Sequence, residues 1–289
     1  MKTFGFKVFT IFSLVFSLGM SAQTDTTKKR VYDHKALYNV NLMRTDFSNW
    51  TQGGESNTNA SFMIREQLKV QSKKRTANHL IQASYGLNYQ NEKTTKTIDN
   101  LQYVVNFSRG GIGDKRLLRL STQIELTTQS MPGYAIEDTA KTTMISNLGS
   151  PVYLQFSLGA ISNRFESWNF YFSPLGTKTT VVLDPKIREL GAFGVDSTSS
   201  TLLQGGANAT LNFNKMYWKK VRLLLRTDFF YNYFDTNPAL DVRGEVISYY
   251  RLDKRFTLNV NYQFIRDFDA YEGWQLKSLT GLGIKLNFD

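Results

Sequence analysis

The sequence has 289 residues, no cysteine and a formal charge of +11 at pH 7. The lack of cysteine excludes disulfides, thiolate metal sites and a lipid anchor on a cysteine. After the first 22 residues, no stretch approaches the ~18 consecutive apolar residues of a membrane helix. A membrane protein with this sequence is therefore expected to be a closed β-barrel.

The chain begins with a pattern typical of a secretory signal peptide. Lys2 and Lys7 give a basic start, Val8 to Met20 is a short apolar run, and cleavage is predicted after Ala22. We therefore divide the chain into a signal peptide, 1–22, and one domain, 23–289. Removing the signal leaves a charge of +9. Because the chain is predicted to be exported and has no basic run interleaved with aromatics, nucleic acid is not an expected partner.

Apolar and polar residues alternate with a period of two along almost the whole domain, which predicts β-strands. In 118–126, for example, Leu118, Leu120, Ile124 and Leu126 alternate with polar residues. Runs of this length suit strands that cross a bilayer, which need about 9–11 residues. Twelve strands are predicted, an even number as in bacterial barrels, near 36–48, 58–71, 76–90, 99–109, 116–129, 150–163, 167–183, 202–214, 220–234, 240–251, 255–267 and 275–288.

The connections between these strands alternate between short and long. The short ones have the sequences SKKRT, GGIGDK, RFES, NKMYWK and LDK, and the long ones include 130–149 and 184–201. Outer-membrane barrels have short periplasmic turns and longer extracellular loops. The fold class predicted is therefore all-β, a single antiparallel transmembrane β-barrel of about twelve strands. Its predicted location is the Gram-negative outer membrane, with both termini in the periplasm.

The chain ends on GLGIKLNFD, in which Leu282, Ile284, Leu286 and Phe288 form an apolar stripe. This stretch is predicted to be the closing strand, with the stripe facing lipid. Its spacing also resembles the signal that the barrel-insertion machinery recognises, although Asp289 follows the usual terminal aromatic. Outer-membrane lipid and that machinery are the expected partners, together with other envelope proteins as an open alternative.

The same alternation sends a set of charged residues to the lumen. In one interpretation they pair across a narrow lumen and close it, which suits about twelve strands, fewer than the 16–18 of wide porins. In the other, the excess cations line an anion-preferring pore. The residues predicted to line the lumen are Arg65, Lys69, Arg119, Glu125, Arg222, Arg226, Asp228, Arg243, Glu245, Lys277 and Lys285.

No motif predicts catalysis, a metal site or a cofactor. The only histidines are His34 and His79, and no Ser-His-Asp arrangement is recognisable around His79. GGIGDK fails the spacing of a phosphate loop. The acidic stretch DFDAYE fails the EF-hand pattern and is interpreted as a solvated loop. We expect no enzyme activity.

Five motifs occur in order: NWTQGG (49–54), ISNLGSPVYLQFSLG (145–159), FYFSPLGTKTTVV (170–182), GAFGV (191–195) and DFFYNYFDTNP (228–238). In these motifs, over residues 40–288, the chain resembles a family of Bacteroidota outer-membrane barrels known as a domain of unknown function. The resemblance implies a barrel, an outer-membrane address and a Bacteroidota source, but no activity. Its motif positions are Asn49, Trp50, Gly53, Gly54, Ser150, Pro151, Ser173, Pro174 and Gly194.

Three functions remain open from the sequence. The first is a narrow channel for small solutes, with a preference for anions as one option. The second is a non-conducting barrel that serves as a subunit of an envelope assembly or secretion complex. The third, which the scarcity of histidine disfavours, is an outer-membrane hydrolase.

Overall fold

A computed structural model gives the fold of most of the predicted barrel domain. The signal-peptide prediction, 1–22, and the motif residues Asn49, Trp50, Gly53 and Gly54 lie outside the residues it describes. The described residues are 30–45, 57–72, 74–90, 93–112, 118–135, 143–162, 165–235, 240–253, 256–268 and 271–286.

Fourteen strands occur in the described residues, and twelve of them form one closed antiparallel barrel. The prediction of a twelve-stranded barrel is therefore confirmed. The barrel strands are β1 (Val31–Thr45), β2 (Asn57–Gln71), β3 (Arg75–Gln90), β4 (Lys93–Ile112), β5 (Leu118–Thr128), β8 (Val152–Ser162), β9 (Trp168–Val181), β10 (Thr201–Tyr217), β11 (Val221–Asn232), β12 (Leu240–Arg251), β13 (Phe256–Asp267) and β14 (Tyr271–Leu286). The other two, β6 (Gly133–Ala135) and β7 (Thr143–Ser146), pair with each other.

Each strand has one apolar and one polar face, as its alternation dictates. On β5, Leu118 and Leu120 are exposed on the outer wall, whereas Gln123 and Glu125 are buried on the inner wall. Exposed apolar side chains follow the outer wall around the barrel, and they include Val40, Leu42, Phe62, Phe107, Leu126, Leu154, Phe156, Leu158, Phe172, Leu175, Leu203, Leu258, Leu276 and Leu282. An apolar exterior around a polar interior is the arrangement of outer-membrane barrels. The protein is an outer-membrane β-barrel.

No helix among the described residues has the length and apolar composition that a membrane crossing requires.

The first and last strands close the barrel through a short seam. Among the described residues, β1 pairs with β14 over Tyr38–Leu42 and Leu282–Leu286, whereas β1 pairs with β2 along its whole length. In the described residues, every other neighbouring pair in the barrel has a longer ladder. Leu282 is exposed, as predicted for the closing strand, and Phe288 lies outside the described residues.

β9 is a single strand that contains a β-bulge. The register shifts between Leu158 and Ala160 on one side of β9 and between Gly206 and Asn208 on the other. The chains approach closely here, since a Cβ on Gly159 would lie 2.0 Å from the carbonyl oxygen of Phe172. Pro174 lies in the irregular region, where a missing backbone N–H is tolerated.

The long connections at one end of the barrel are folded rather than irregular. They contain the β6–β7 hairpin, a short helix α1 (Pro185–Glu189) and a 3-10 turn (Ala192–Gly194). Val182, Ile187 and Val195 form a small buried apolar cluster among them. We call the described residues of 129–151 and 182–200 the cap.

Two predicted loops are shorter than expected, because β4 begins at Lys93 and β14 at Tyr271.

Candidate functional site in the barrel lumen

One arginine links opposite parts of the barrel wall. Arg226 on β11 lies 2.6 Å from Glu125 on β5, and these strands are separated by three others in the ring. The same guanidinium lies 2.7 Å from Asp228. Gln102 donates to Glu125 at 2.8 Å, and Thr210 donates to Asp228 at 2.7 Å. Both carboxylates are therefore bound by charge-assisted hydrogen bonds, the stronger class.

A second link crosses the lumen between β3 and β12. Gln82 lies 3.5 Å from Glu245, and Glu245 also accepts from Asn261 at 3.0 Å and Gln263 at 3.1 Å. Arg65 donates to Gln82 at 2.8 Å, which extends this network along the wall. We call Gln82, Glu125, Arg226 and Glu245 the partition. Because its members reach across the barrel from different strands, they divide the lumen at one level.

Two cavities lie on the two sides of the partition, and Arg226 and Glu245 line both of them. The capped cavity, about 310 Å³, includes Pro151 and Phe193 of the cap in its wall. The basal cavity, about 460 Å³, reaches the short turn near Phe165. The lumen thus consists of two vestibules separated by a layer of polar side chains.

The structure brings most of the predicted lumen residues into these vestibules. Arg65, Lys69 and Arg119 line the basal cavity, and Asp228, Arg243 and Lys277 line the capped cavity. Glu125, Arg226 and Glu245 belong to the partition. Of these, Glu125 lines neither cavity, and neither does the predicted residue Arg222. Arg222 donates to Asn214 at 3.2 Å, and Lys285 pairs with Asn39 in the backbone ladder, but the structure does not describe its side chain.

Sequence reasoning missed one of the most buried lumen cations. Lys178 on β9 lies 2.8 Å from Asp241 and 3.2 Å from Asp267, so it ties β9 to β12 and β13. The bulge near Pro174 reverses the alternation. Tyr171 and Ser173 are buried before it, and Lys178 is buried after it. A uniform period of two along 167–183 therefore places Lys178 on the wrong wall. The proline and Gly176 were the signal that could have revealed the reversal.

A second missed cation attaches the cap to the barrel. Lys96 on β4 lies 2.9 Å from Asp99 and 2.7 Å from both the Gln129 side chain and the Met131 carbonyl. Asp99 in turn accepts from the backbone N–H and the hydroxyl of Ser130. The start of the cap is therefore held to the wall by a buried ion pair.

The motif residues inside the cap have structural contacts. Ser150 is fully buried and accepts from the backbone N–H of Asp184 at 2.7 Å. Asp184 caps the start of α1, and the hydrogen bond from Asn147 holds the pKa of this carboxyl below its usual value. Gly194 has a φ of 73°, a conformation that glycine adopts at little cost. These positions shape the cap.

The other two motif residues in the described chain shape the bulge in β9. Ser173 is fully buried and donates to the carbonyl oxygen of Leu158 at 2.6 Å. The carbonyl oxygen of Pro174 accepts from Tyr233 at 2.9 Å.

His79 lies on the outer wall, where its ring is 2.9 Å from the Tyr103 hydroxyl and packs edge-on against Phe107. His34 lies 3.7 Å from Glu66 near the start of β1. In the described part of the chain, no three histidine, aspartate or glutamate side chains are grouped so that they could hold a metal ion.

Comparison with known proteins gives one family match. The family described as "Protein of unknown function (DUF3078)" matches residues 42–134, which agrees with the expected resemblance to a domain of unknown function. A comparison with curated proteins finds no match.

Several outer-membrane barrels of known structure align with this chain over most of its length. The COG4313 outer membrane channel from Pseudomonas putida F1 is 10% identical, with a TM-score of 0.41 over 93% of this chain and 100% of that chain. The translocator domain of the autotransporter NalP from Neisseria meningitidis is 11% identical, with a TM-score of 0.38 over 98% and 96%. Outer membrane phospholipase A from Escherichia coli is 11% identical, with a TM-score of 0.34 over 94% and 97%.

Proposed function

We propose that the protein is a narrow outer-membrane channel for small anionic solutes, which the partition closes in this conformation. The observation that supports it is an imbalance of charge in the lumen. The lumen carboxylates accept from cations or amides, as Asp228 and Glu245 do. In contrast, among the described residues, no carboxylate lies within ion-pair distance of the lumen cations Arg65, Lys69, Arg119, Arg243 and Lys277.

These unpaired cations occur in both vestibules. Arg65, Lys69 and Arg119 lie below the partition, and Arg243 and Lys277 lie above it. Arg243 stacks 5.2 Å from the centre of the Tyr153 ring, and Lys277 donates to the carbonyl oxygen of Thr97. Charge of one sign along a narrow passage attracts the opposite ion. A barrel that used its charges only to seal the lumen would have no need of this excess.

We propose transport rather than catalysis, so no enzyme activity is expected. His79 lies on the outer wall, where its hydrogen-bond partner is the Tyr103 hydroxyl at 2.9 Å and its ring packs against Phe107. The proposed channel sits in outer-membrane lipid and depends on the barrel-insertion machinery for its assembly.

Planar-bilayer recordings under a salt gradient test this function. We expect brief, small current steps from the wild-type barrel and larger, longer ones from a Gln82→Ala/Glu245→Ala variant, because truncation of both side chains opens the partition. The reversal potential should be biased to anions. This bias should shrink in Arg243→Gln/Lys277→Gln and persist in the matched control Lys186→Gln/Arg188→Gln, whose two charges lie on α1.

The channel proposal is overturned if neither the wild type nor the partition variant carries current, although both are folded and heat-modifiable. That result would favour the second function, a sealed subunit of an envelope complex. The folded cap supports that candidate, since Val182, Ile187 and Val195 give it a core of its own. Co-purification of a stoichiometric partner in detergent tests it.

We also propose that the cap is extracellular and that both termini are periplasmic. The native chain has no cysteine, so single cysteines can report accessibility. A membrane-impermeant thiol reagent should label Ser197→Cys in the cap on intact cells. It should label the control Lys220→Cys, in an exposed turn at the opposite end, only after permeabilisation. The reverse pattern would invert the orientation.

A further inference from the structure

The basal cavity contains buried hydrogen-bond donors that have no partner. Thr76 is 4% exposed and Asn106 is 7% exposed, and both line this cavity. The Thr76 hydroxyl and the Asn106 amide nitrogen make no hydrogen bond among the described residues. A buried polar group without a hydrogen-bond partner destabilises the fold. Both residues line the cavity, and a ligand with acceptor oxygens would complete the two atoms once these side chains turn toward it.

The Ser121 hydroxyl lies 2.7 Å from the amide oxygen of Asn106 and 3.1 Å from the carbonyl oxygen of Phe107, and it has one proton to donate. With the amide oxygen of Asn106 toward Ser121, the N–H₂, which only donates, is left for the cavity. In this orientation the missing partner of Asn106 is an acceptor.

Cations surround the same part of the cavity. Lys69 on β2, Asn78 on β3 and Asn106 on β4 lie opposite one another at one level of the wall. Thr76 is two residues from Asn78 and so shares its face. Neighbouring strands are about 4.8 Å apart, so Lys69 and Asn106 lie about 10 Å apart across β3 on the same wall of the cavity. Lys69 has neither a hydrogen bond nor an ion pair among the described residues.

Arginines extend this environment on both sides. Arg65 is four residues from Lys69 on the same face of β2, and its contact with a protein acceptor is Gln82. Arg119 donates from Nε to the carbonyl oxygen of Gly110 at 3.1 Å, which leaves its two terminal nitrogens available. Three acidic residues also line the cavity: Asp33, which lies opposite Lys69 in the β1–β2 ladder and pairs with Lys35, Glu245, which accepts from amides, and Glu166. Five lysine and arginine side chains line the same cavity, so cations are in excess there.

We propose that the basal cavity binds a phosphate group, as free phosphate or on a small organic solute. The proposal rests on the proposed channel and names its class of solute. Three cations and two neutral donors offer more hydrogen bonds than one carboxylate can accept, whereas a phosphate group has several strong acceptor oxygens. The cavity volume of about 460 Å³ leaves space for an attached organic group.

Isothermal titration calorimetry on the refolded full-length barrel in detergent tests the site, with inorganic phosphate and glycerol 3-phosphate as separate probes. We expect both to bind the wild type. Thr76→Val and Asn106→Asp, which keep the side-chain shapes, should each weaken binding at least tenfold. Asn106→Asp should have the larger effect because it replaces the donor by a negative charge. The matched control Lys186→Met, on α1 of the cap, should bind normally.

A wild-type barrel that binds neither probe would overturn the site. So would Thr76→Val and Asn106→Asp variants that fold and bind as the wild type does. Binding of glycerol 3-phosphate alone would assign the site to organic phosphates, and binding of phosphate alone would assign it to the free ion. Calorimetry needs no current, so the two proposals fail separately. If a barrel that carries no current binds phosphate, the channel proposal fails and the binding-site proposal stands. If the barrel conducts but does not bind phosphate, the binding-site proposal fails and the channel proposal stands.

Discussion

Replacing Arg226 by methionine should lower the free energy of unfolding of the barrel by about 3–5 kcal/mol. The substitution keeps much of the side-chain volume but removes the cation from between Glu125 and Asp228. Glu125 is only 4% exposed, so it would remain as a buried charge without its cation. Denaturant titration in lipid vesicles, followed by tryptophan fluorescence and heat-modifiability on gels, measures the change.

Arg222→Met is the matched control for that experiment. Arg222 lies four residues away on the same face of β11 and hydrogen-bonds to the neutral Asn214. Its loss should cost only about 1 kcal/mol, because this hydrogen bond is exposed to solvent and its removal leaves no buried charge without a partner. Adding Glu125→Gln and Asp228→Asn to Arg226→Met should restore much of the stability, because no buried charge then lacks a partner. Equal effects of the two arginine variants would contradict this account.

Gly159→Ala should prevent the barrel from closing correctly. The added Cβ would lie 2.0 Å from the carbonyl oxygen of Phe172 and 2.6 Å from the Cα of Ser173, and backbone cannot move aside without breaking the β8–β9 ladder. We expect a loss of about 3 kcal/mol or more, at the upper end of overpacking effects. The measurement is the fraction of protein that refolds into vesicles in heat-modifiable form.

Gly281→Ala serves as the control for this substitution. Gly281 also lies in a barrel strand, but the nearest atom to an added Cβ would be the Asn41 Cβ at 3.7 Å, an ordinary contact. This variant should refold as the wild type does. If Gly159→Ala refolds equally well, the close approach at the bulge is not essential to the barrel.

The barrel itself could be predicted from the sequence because the bilayer imposes a simple pattern. A strand between lipid and a polar lumen must alternate, and Leu118 to Thr128 does so without interruption. The same alternation identified Arg226 and Glu245 as inward-facing before any contact was known. What alternation does not supply is the partner across the lumen. The link from Arg226 to Glu125 depends on the diameter and stagger of the barrel, which no single strand encodes.

The features that sequence reasoning missed share a physical cause. Each depends on a local break in the strand pattern. The bulge before Lys178 reverses which residues face inward. Lys96 lies opposite Leu87, directly after a register shift between Gly86 and Leu87. The cap was predicted as two loops. Its small core of Val182, Ile187 and Val195 brings together residues from both ends of one connection, too few to produce a periodic signal.

The short seam has a consequence for the way the barrel forms. The β1–β14 ladder joins the two ends of the chain, so closing it requires the largest loop, and among the described residues it is the shortest ladder of the barrel. The remaining ladders can exist in a curved open sheet whose free edges are β1 and β14. Over the described residues, which end at Leu286, five residue pairs separate the closed cylinder from that sheet. If the barrel wall opens laterally within the bilayer, we expect β1 and β14 to separate along the pairs from Tyr38 to Leu42.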